Sequence, residues 1–549
     1  VTIIEEGVNN GAATDFDGNY VLNVQSPDAN LAVSYIGFET QIMAVKGEST
    51  VNIIMVEDLE SLEEVQVVAF SKQKKNSVIG SISTVKASEL KIPSSNLTTA
   101  FAGKIAGLIS YQRSGEPGAD NAEFFIRGVT TFGYKNNPLI LLDGLEITTE
   151  DLARLEPDNV ATFSIMKDAT ATSLYGARGA NGVILVTTKE GKKGKARVSF
   201  RYENNFSAPS QTPKFLGAVD YMRMYNQAQR MRDQSALLKY SIQQITGTEQ
   251  GLNPELYPDV DWHNELFNDF ALNKKVNLNI SGGGDVAQYY LSVSHANENG
   301  LLKVDPLSNF NNNIEIKRSN LRANINVNLS KSTEIAVKYY SLFERYNGPI
   351  DNATRIFEMV ADANPANFPK TFTPDQNTMN LSHTLFGNKG NGGYPNPYAD
   401  MVKGYKDRFK NTTLAQFELK QDLSFITEGL NIRGMGSVRT YSMNQNDRSF
   451  TPFFYGIGQL ETDLGTSNYL YQIQEGTEFL NDPNIENESN SNFYYQLVTE
   501  YNRTFNEKHE VGGLLVANAS EALNTIGGGT AFTTLPSRNM GISGRASYN

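Results

Sequence analysis

The side chains that most often carry enzyme chemistry are scarce in this sequence. Cysteine is absent from the 549 residues, and only four histidines occur, all far apart in the chain: His263, His295, His383 and His509. No His-Glu-x-x-His segment, nucleophile motif or cofactor fingerprint accompanies the many carboxylates. Thiolate metal sites are excluded, and isolated histidines disfavour a His-rich site. The sequence therefore predicts a protein that is not an enzyme, with no catalytic residue, no metal and no cofactor.

One short segment suggests binding through the backbone instead. Residues 65–70 read Val-Gln-Val-Val-Ala-Phe, with an acidic stretch before them (57–64) and a basic, polar stretch after them (71–76). An apolar strand flanked by charge, outside any obvious domain, can add to the edge of a partner's sheet through main-chain hydrogen bonds. An ordinary strand of a neighbouring domain fits the local sequence equally well.

Three regions with different residue patterns surround this segment. Residues 1–57 contain turn residues and alternating segments at 20–24, 31–35 and 51–55, which predict a small β domain. Residues 90–189 are rich in glycine and predict a compact α/β domain. Its predicted helices are 97–105, 151–155 and 169–175, and its predicted strands are 122–127, 139–142, 162–167 and 182–188. From Arg197 onward, apolar or aromatic residues alternate with polar ones over long segments, as in antiparallel strands.

The lengths of the connections favour a membrane barrel over a soluble sandwich. Short turns alternate with long irregular stretches; the turns are at 282–285, 330–333, 427–429 and 505–508, and the long stretches are at 207–274, 298–313, 344–411, 442–491 and 521–541. Tight periplasmic turns and long external loops are typical of outer-membrane barrels. No apolar run approaches the ~20 residues of a helical membrane span. The net charge of −12 disfavours binding to nucleic acid.

The number of strands predicts that the protein is longer than this sequence. About ten strands are recognisable, whereas enclosing a domain of about a hundred residues takes a barrel of about 22 strands. The last strand begins near Gly544, and ending there would leave an unpaired edge in lipid. The first residues lack the basic start and apolar core of a signal peptide, so either a signal has been removed or the sequence starts within the protein.

Several motifs, in order, resemble the SusC-like branch of TonB-dependent outer-membrane transporters. The motifs are the segment 62–70, Phe-Ala-Gly-Lys-Ile-Ala-Gly-Leu at 101–108, Ile-Arg-Gly at 126–128, Pro-Leu-Ile-Leu-Leu-Asp-Gly at 138–144 and, most specifically, the twenty residues 165–184. The start of the chain resembles a carboxypeptidase-regulatory-like β-sandwich without its opening strand. The resemblance implies a mainly β protein: a membrane-spanning antiparallel β-barrel of about 22 strands, about ten of them present, with an α/β plug domain.

The resemblance also implies bounds for the domains. These are a carboxypeptidase-regulatory-like β-sandwich at 1–57, a TonB-box linker at 58–76, the plug at 77–195 and the first part of the transmembrane barrel at 196–549. The TonB box would comprise Glu63, Glu64, Val65, Gln66, Val67, Val68, Ala69 and Phe70. Members of the family usually have a more uniform valine run ending in Gly-Tyr-Gly; here Gln66 interrupts the run and Ala69-Phe70-Ser71 closes it.

The function implied by the resemblance is TonB-dependent import of oligosaccharides or oligopeptides across the cell outer membrane. A SusD-like lipoprotein would form a lid, TonB would pull on the box and remodel the plug, and lipid would surround the barrel. Two such SusC–SusD pairs could associate, or the protein could belong to a larger complex. The alternative is a structural or assembly partner in an outer-membrane complex with little or no transport.

Two sets of residues are candidates for function under this resemblance. The plug charges Arg127, Asp143, Lys167, Asp168 and Arg178 either pair with the barrel and release under force, or form ion pairs and turn caps within the plug. Tyr394 and Tyr398, in a predicted external loop, either stack on a sugar or peptide or contact the lid. The residues that bind substrate are otherwise not predictable from the sequence.

Overall fold

The structure is a computed structural model, and it describes the chain except for residues 7, 9, 16–17, 36–37, 39, 56–64, 69–70, 75–81, 91–95, 129–135, 169–171, 307, 463–464, 507, 527–534 and 549. In the part of the chain that it describes, no helix is both long enough and apolar enough to cross a membrane.

The N-terminal domain is a small antiparallel sheet. Its strands are β1 (Thr2–Glu5), β2 (Gly11–Ala13), β3 (Asn30–Ser34) and β4 (Gln41–Ala44), in the order β2-β1-β3-β4. Alternate residues of β1 and β3, such as Ile3 and Val33, form its core. The segments 20–24 and 51–55, predicted as strands, lie outside this sheet. Their apolar side chains still pack on the core, which explains their alternating pattern.

The plug is built on a five-stranded mixed sheet. A hairpin of β5 (Val65–Val68) and β6 (Ser71–Lys74) precedes it. The plug strands are β7 (Ile82–Lys86), β8 (Leu108–Gln112), β9 (Ala122–Ile126), β10 (Leu139–Leu142), β11 (Leu145–Glu146), β12 (Val160–Met166) and β13 (Val183–Thr188). The sheet has the order β11-β10-β13-β12-β7, and β8 pairs with β9 separately. Its helix α1 spans Thr149–Ala153, and 3-10 turns cover 87–90, 97–101, 157–159 and 173–179.

Burial explains the sequence pattern of the plug. The central strands β10 and β13 run parallel and are buried on both faces, so they read as continuous apolar runs rather than alternating ones. Phe101 packs edge-on against Phe124 and Phe163 beneath the sheet. The four predicted plug strands are confirmed to within two residues. The predicted helix at 97–105 is instead a short 3-10 turn at 97–101. Of the predicted helix at 169–175, residues 169–171 lie outside the described residues, Thr172 is helical, and a 3-10 segment follows at 173–179.

The rest of the chain forms a ten-stranded antiparallel sheet, here called the wall. Its strands are β14 (Gly194–Ser207), β15 (Ala271–Gly283), β16 (Ala287–Asn299), β17 (Glu315–Asn328), β18 (Thr333–Pro349), β20 (Gly404–Asp422), β21 (Leu430–Ser449), β24 (Asn484–Phe505), β25 (His509–Ile526) and β26 (Ser537–Tyr548). The number of strands agrees with the predicted ten. The last strand begins at Ser537, seven residues before its predicted start at Gly544.

The long connections of the wall are folded rather than irregular. They contain the helices α2 (Ala218–Arg232), α3 (Ile242–Glu249), α4 (Trp262–Leu266), α5 (Ala353–Asp362) and α6 (Pro397–Val402), and a small sheet of β19 (Phe386–Gly387), β22 (Phe454–Thr462) and β23 (Gly465–Gln474). Trp262, Ile356 and Phe386 meet in a common apolar core there. These loop elements therefore stabilise one another away from the wall strands.

The two faces of the wall reverse the polarity of a soluble sheet. On β17 the polar residues Asn320, Arg322 and Asn324 are buried, while Leu321 and Ile325, which alternate with them, are exposed. The buried polar face lies against the plug. An apolar outer face with a polar inner face is the pattern of transmembrane barrels, in which lipid replaces water outside.

A glycine at one short turn gives a test of the wall's register. Gly429 has φ of +85°, and a Cβ there would collide with the backbone carbonyl of Asn502. We expect Gly429→Ala to destabilise the protein by about 1–3 kcal/mol, because it adds both strain and a clash. Gly434→Ala is the matched control, since the space beside Gly434 is open. Equal thermal unfolding temperatures of the two variants would contradict this register.

Candidate functional site: the contact between plug and wall

Asp143 lies where the plug sheet touches the wall. It and Gly144 form the two-residue turn between β10 and β11, with φ of 50° and 91°. Asp-Gly suits a turn of this kind because both residues tolerate positive φ. The Asp143 side chain is 5% exposed and accepts hydrogen bonds from the amide (3.0 Å) and hydroxyl (2.6 Å) of Thr188. The turn thereby holds the carboxylate against the end of β13.

Two cations of the wall complete the surroundings of Asp143. Lys338 Nζ on β18 is 3.4 Å from Asp143 Oδ1, and Arg322 Nη1 on β17 is 4.0 Å from Oδ2. Lys338 also binds Glu190, at 2.8 Å, just after β13. We call Asp143, Thr188, Glu190, Arg322 and Lys338 the Asp143 cluster. It joins the end of the plug sheet to two wall strands.

Burial and charge act in opposite directions on the two acids of the cluster. Burial alone disfavours the charged form of Asp143, but Lys338 and Arg322, with the hydrogen bonds from Thr188, hold its pKa below the ordinary value. The same balance of burial against Lys338 lowers the pKa of Glu190. Both acids are therefore ionised at neutral pH, and each favours the docked position of the plug.

A second group of plug acids pairs with the wall further along the seam. The ion pairs are Glu150–Lys410 (2.7 Å), Asp151–Arg439 (2.8 Å), Glu156–Lys275 (2.6 Å) and Asp158–Arg201 (2.7 Å). As in the Asp143 cluster, the plug supplies the carboxylate and the wall supplies the cation. The sequence analysis did not identify these four acids, although all of them lie within the nine residues 150–158, in and after α1. Asp151 also completes a capping box with Thr148, which fixes its position at the start of α1.

The plug also touches the folded loops directly. Glu116, in the connection between β8 and β9, accepts hydrogen bonds from the amides of Ala353 (3.3 Å) and Thr354 (3.1 Å) and from the Thr354 hydroxyl (3.0 Å). These amides open α5, whose N-terminal end favours a negative charge. The buried face of α5, including Ile356 and Met359, packs into the loop core. Glu116 therefore connects the plug to the loops.

The other candidate charges make contacts within the plug. Lys167 donates to Ser83 at 2.5 Å, and Arg178 forms an ion pair with Glu146. Arg127 is exposed and has φ of 59°, with its amide donating to Gly107. The carbonyl of Asp168 accepts a hydrogen bond from the Thr172 amide. Of the five candidates, Asp143 forms ion pairs with the wall, and Arg178 also lies near Tyr494 of β24.

Burial of Lys167, together with repulsion from nearby Arg127, lowers the pKa of the Lys167 ammonium. The two side chains thus form a small positive region of the plug.

The remaining candidates are the predicted TonB box and the two loop tyrosines. Within the predicted TonB box, Val65, Gln66, Val67 and Val68 form β5, while Glu63, Glu64, Ala69 and Phe70 lie outside the described residues. Tyr398 is 5% exposed in α6, and its hydroxyl donates to Asp305 at 2.5 Å. Its ring belongs to the loop core and does not face open space. Tyr394 is more exposed and lies beside Phe368.

Comparison with known proteins shows which families and relatives this chain is similar to. The model of the TonB-dependent Receptor Plug Domain matches residues 74–183, and that of the CarboxypepD_reg-like domain matches residues 1–67. TonB-dependent receptor P39 of Formosa agariphila is 26% identical over 522 residues, covering 94% of this chain and 44% of P39. TonB-dependent receptor SusC of Bacteroides thetaiotaomicron is 32% identical over 337 residues, covering 59% of this chain and 31% of SusC.

The chain is similar to SusC-like TonB-dependent receptors, and its plug region matches their plug-domain model. The fold agrees: the RagAB peptide importer in its open-open state superposes with a TM-score of 0.62 at 17% identity, over 88% of this chain and 54% of that one. These findings confirm the resemblance drawn from the plug motifs. The matched relatives are receptors rather than enzymes, as the sequence predicts. The chain spans less than half the length of P39 and of SusC.

The Asp143 cluster predicts a pH-dependent contribution to the docking of the receptor plug. Because the folded-state pKa of Asp143 is lowered, its stabilisation is complete above the ordinary carboxyl pKa and is lost as the pH falls through the lowered one. We expect Asp143→Asn to destabilise the docked plug by about 3 kcal/mol at neutral pH, because a buried wall cation loses its partner. The difference should shrink at strongly acidic pH, as measured by protease sensitivity of the plug in denaturant.

The control for this prediction is Asp285→Asn. Asp285 also forms an ion pair, with Lys193, but its side chain is 80% exposed. Exposed pairs contribute little because water screens them. A change in Asp285→Asn as large as that in Asp143→Asn would contradict the role of burial.

The contact of Glu116 with α5 predicts an effect on the loops from a change in the plug. Glu116→Ala leaves the amides of Ala353 and Thr354 without their acceptor, so we expect hydrogen exchange in the first turn of α5 to rise about tenfold or more. Glu123→Ala is the control, since this exposed plug acid pairs with Arg113 instead. If amide hydrogen exchange in α5 is unchanged in the Glu116 variant, the loops stabilise this helix without the contact to the plug.

Proposed function

We propose that this chain supplies the plug and part of the barrel of a transporter that imports oligosaccharides or oligopeptides across the outer membrane. The observation that carries the proposal is the contrast between the plug's interior and its contact with the wall. The plug core is apolar and holds the domain together. Its contact with the wall includes buried ion pairs such as Asp143–Lys338 and Asp151–Arg439, beside apolar contacts with Tyr340, Leu342 and Leu414. Such a plug closes a lumen and can part from the wall while keeping most of its apolar core, which lies within the plug.

The position of the box segment supports energised release. In our proposal, β5 adds to the sheet of TonB through main-chain hydrogen bonds, and force then passes along the chain toward β7. β7 is the edge strand of the plug sheet and pairs with β12 alone within it. A pull from this side therefore acts first on the hydrogen bonds between β7 and β12. It reaches the buried central strands β10 and β13 later. The plug sheet remodels from its edge inward.

A SusD-like lipoprotein lid is part of the proposal. Two observations support the lid: the chain is similar to SusC, and its loops are folded around an apolar core and so present a defined surface. A substrate held between lid and loops lies above the plug, and Glu116 connects those loops to the plug. The contact with the lid, the outer-membrane location and the pairing of two such assemblies all belong to this proposal.

One observation favours a second candidate function. Gln66 interrupts the valine run of the box, and a weakened box suits a structural or assembly partner in an outer-membrane complex. The two candidates differ in what the full-length protein captures from the membrane. Recovery of TonB supports transport, whereas recovery of an assembly machine without TonB supports the alternative.

The test of import is a change in the box. Deleting residues 63–70 should abolish nutrient uptake without lowering the amount of protein in the outer membrane. Because recognition is through the backbone, Val67→Pro should have the same effect by removing a donor and fixing φ, whereas Val67→Ile should retain uptake. Normal uptake after the deletion would refute the assignment.

A further inference from the structure

The folded loops enclose a pocket that is separate from the contact between plug and wall. Its volume is about 380 Å³, within the range of small-molecule sites. The loop pocket is lined mainly by side-chain amides, two tyrosines and one lysine: Gln243, Gln244, Asn367, Gln459, Tyr257, Tyr471 and Lys389. Three separate loop regions supply these residues, so the pocket depends on the folded loops as a whole.

One polar group in the loop pocket is buried without a partner. Asn367 is 9% exposed, and its Nδ2 has no hydrogen-bond acceptor among the described residues. A buried amide donor left unpaired costs free energy, so such groups are normally satisfied by protein, water or a ligand. Because Asn367 lines the pocket, a rotation of its side chain would bring this amide to an acceptor oxygen of a ligand.

An exposed lysine, Lys389, places a positive charge at the edge of the pocket. Among the described residues no carboxylate forms an ion pair with Lys389, and its neighbour Lys239 is also a cation. Partial burial of the ammonium, followed by repulsion from Lys239, lowers the pKa of Lys389. The lining also holds one acid, Glu255, whose carboxylate accepts a hydrogen bond from the amide of Thr373 at 2.7 Å and forms no ion pair with Lys389 among the described residues. An anionic group beside Lys389 would relieve the repulsion.

The walls of the loop pocket are held in place. Asn388 is 2% exposed; its oxygen accepts from the Lys389 amide (2.7 Å), and its nitrogen donates to the carbonyl of Tyr394 (3.0 Å). The ring of Tyr471 lies against Gly456, where any side chain would collide with it, and Tyr257 lies against Gly247 in the same way. The lysine loop and both rings are thus fixed before any ligand arrives, which reduces the entropy cost of binding.

We propose that the loop pocket binds an acidic sugar residue, a uronate or a sulfate ester, of the substrate. Side-chain amides both donate and accept, as sugar hydroxyls do, and tyrosine rings offer an apolar surface with a polar tip. Lys389 receives the anionic substituent. An extended peptide would more often pair its backbone with a sheet edge, whereas side chains line this pocket. The proposal rests on the proposed import function and names the class of substrate.

The test measures binding by the purified full-length protein with three probes: digalacturonate, glucose 6-sulfate and uncharged maltose. We expect at least one acidic sugar to bind more tightly than maltose, and added salt to weaken that binding. Lys389→Gln should weaken it about tenfold or more and remove the salt dependence, and Asn367→Leu should weaken it by a smaller factor. Lys214→Gln, at an exposed loop lysine outside the pocket, should change nothing.

The contrary outcomes are distinct. If neither acidic sugar binds the wild-type protein, or if Lys389→Gln binds them unchanged while its thermal unfolding matches wild type, the proposal is overturned. Displacement of the sugar by a triglutamate peptide of equal affinity would assign the pocket to anionic peptides instead. Binding requires no energy from TonB, so deletion of residues 63–70 should leave it intact; failure of transport and failure of this site are therefore separable.

Discussion

The pairing of plug carboxylates with wall cations is the constraint on which the rest of this structure depends. Seven such ion pairs join described residues of the two parts. The reverse arrangement, with the acid on the wall, occurs in the exposed pair Lys193–Asp285. The wall must turn its polar face inward to supply the cations, so its apolar residues face outward. The plug, in turn, must place its acids at turns and helix starts, as it does with Asp143 and Asp151. The reversed polarity of the wall and the charged rim of the plug thus have one cause.

Ion pairs suit an interface that must hold and also part. Apolar contacts gain free energy from excluding water, and exposing them costs roughly in proportion to area. A buried ion pair gains little relative to the same two charges separated in water, because separation hydrates both. Removing one charge of the Asp143 cluster leaves the other buried without a partner, whereas hydration of the whole cluster stabilises all of its charges. Water entering the seam therefore lowers the cost of moving the plug, while most of the apolar plug core stays buried within the plug.

Local residue chemistry predicted much of the plug, and long-range packing decided what it could not. The run Leu139–Leu142 followed by Asp-Gly predicts a buried strand and a tight turn, and both occur. Which charges face the wall was not predictable, because Asp143 and Lys338 meet only through the docking of two domains. Lys167 and Arg178 are charged plug residues like Asp143, yet the residues that they bind, Ser83 and Glu146, belong to the plug. Tyr398, expected at the surface of a loop, is buried because the loops fold on one another, which no local pattern encodes.

The folded loops add a second consequence of the same arrangement. Glu116 places one more plug acid at the start of α5, so the loops are attached to the plug by the kind of contact that attaches the plug to the wall. The other face of α5 packs into an apolar core with Trp262 and Phe386. A helix with one polar attachment and one apolar face moves with the loops when the polar contact breaks. Under the proposed function, a motion of the loops would therefore break the Glu116 contact before it disturbed the apolar core of the loops.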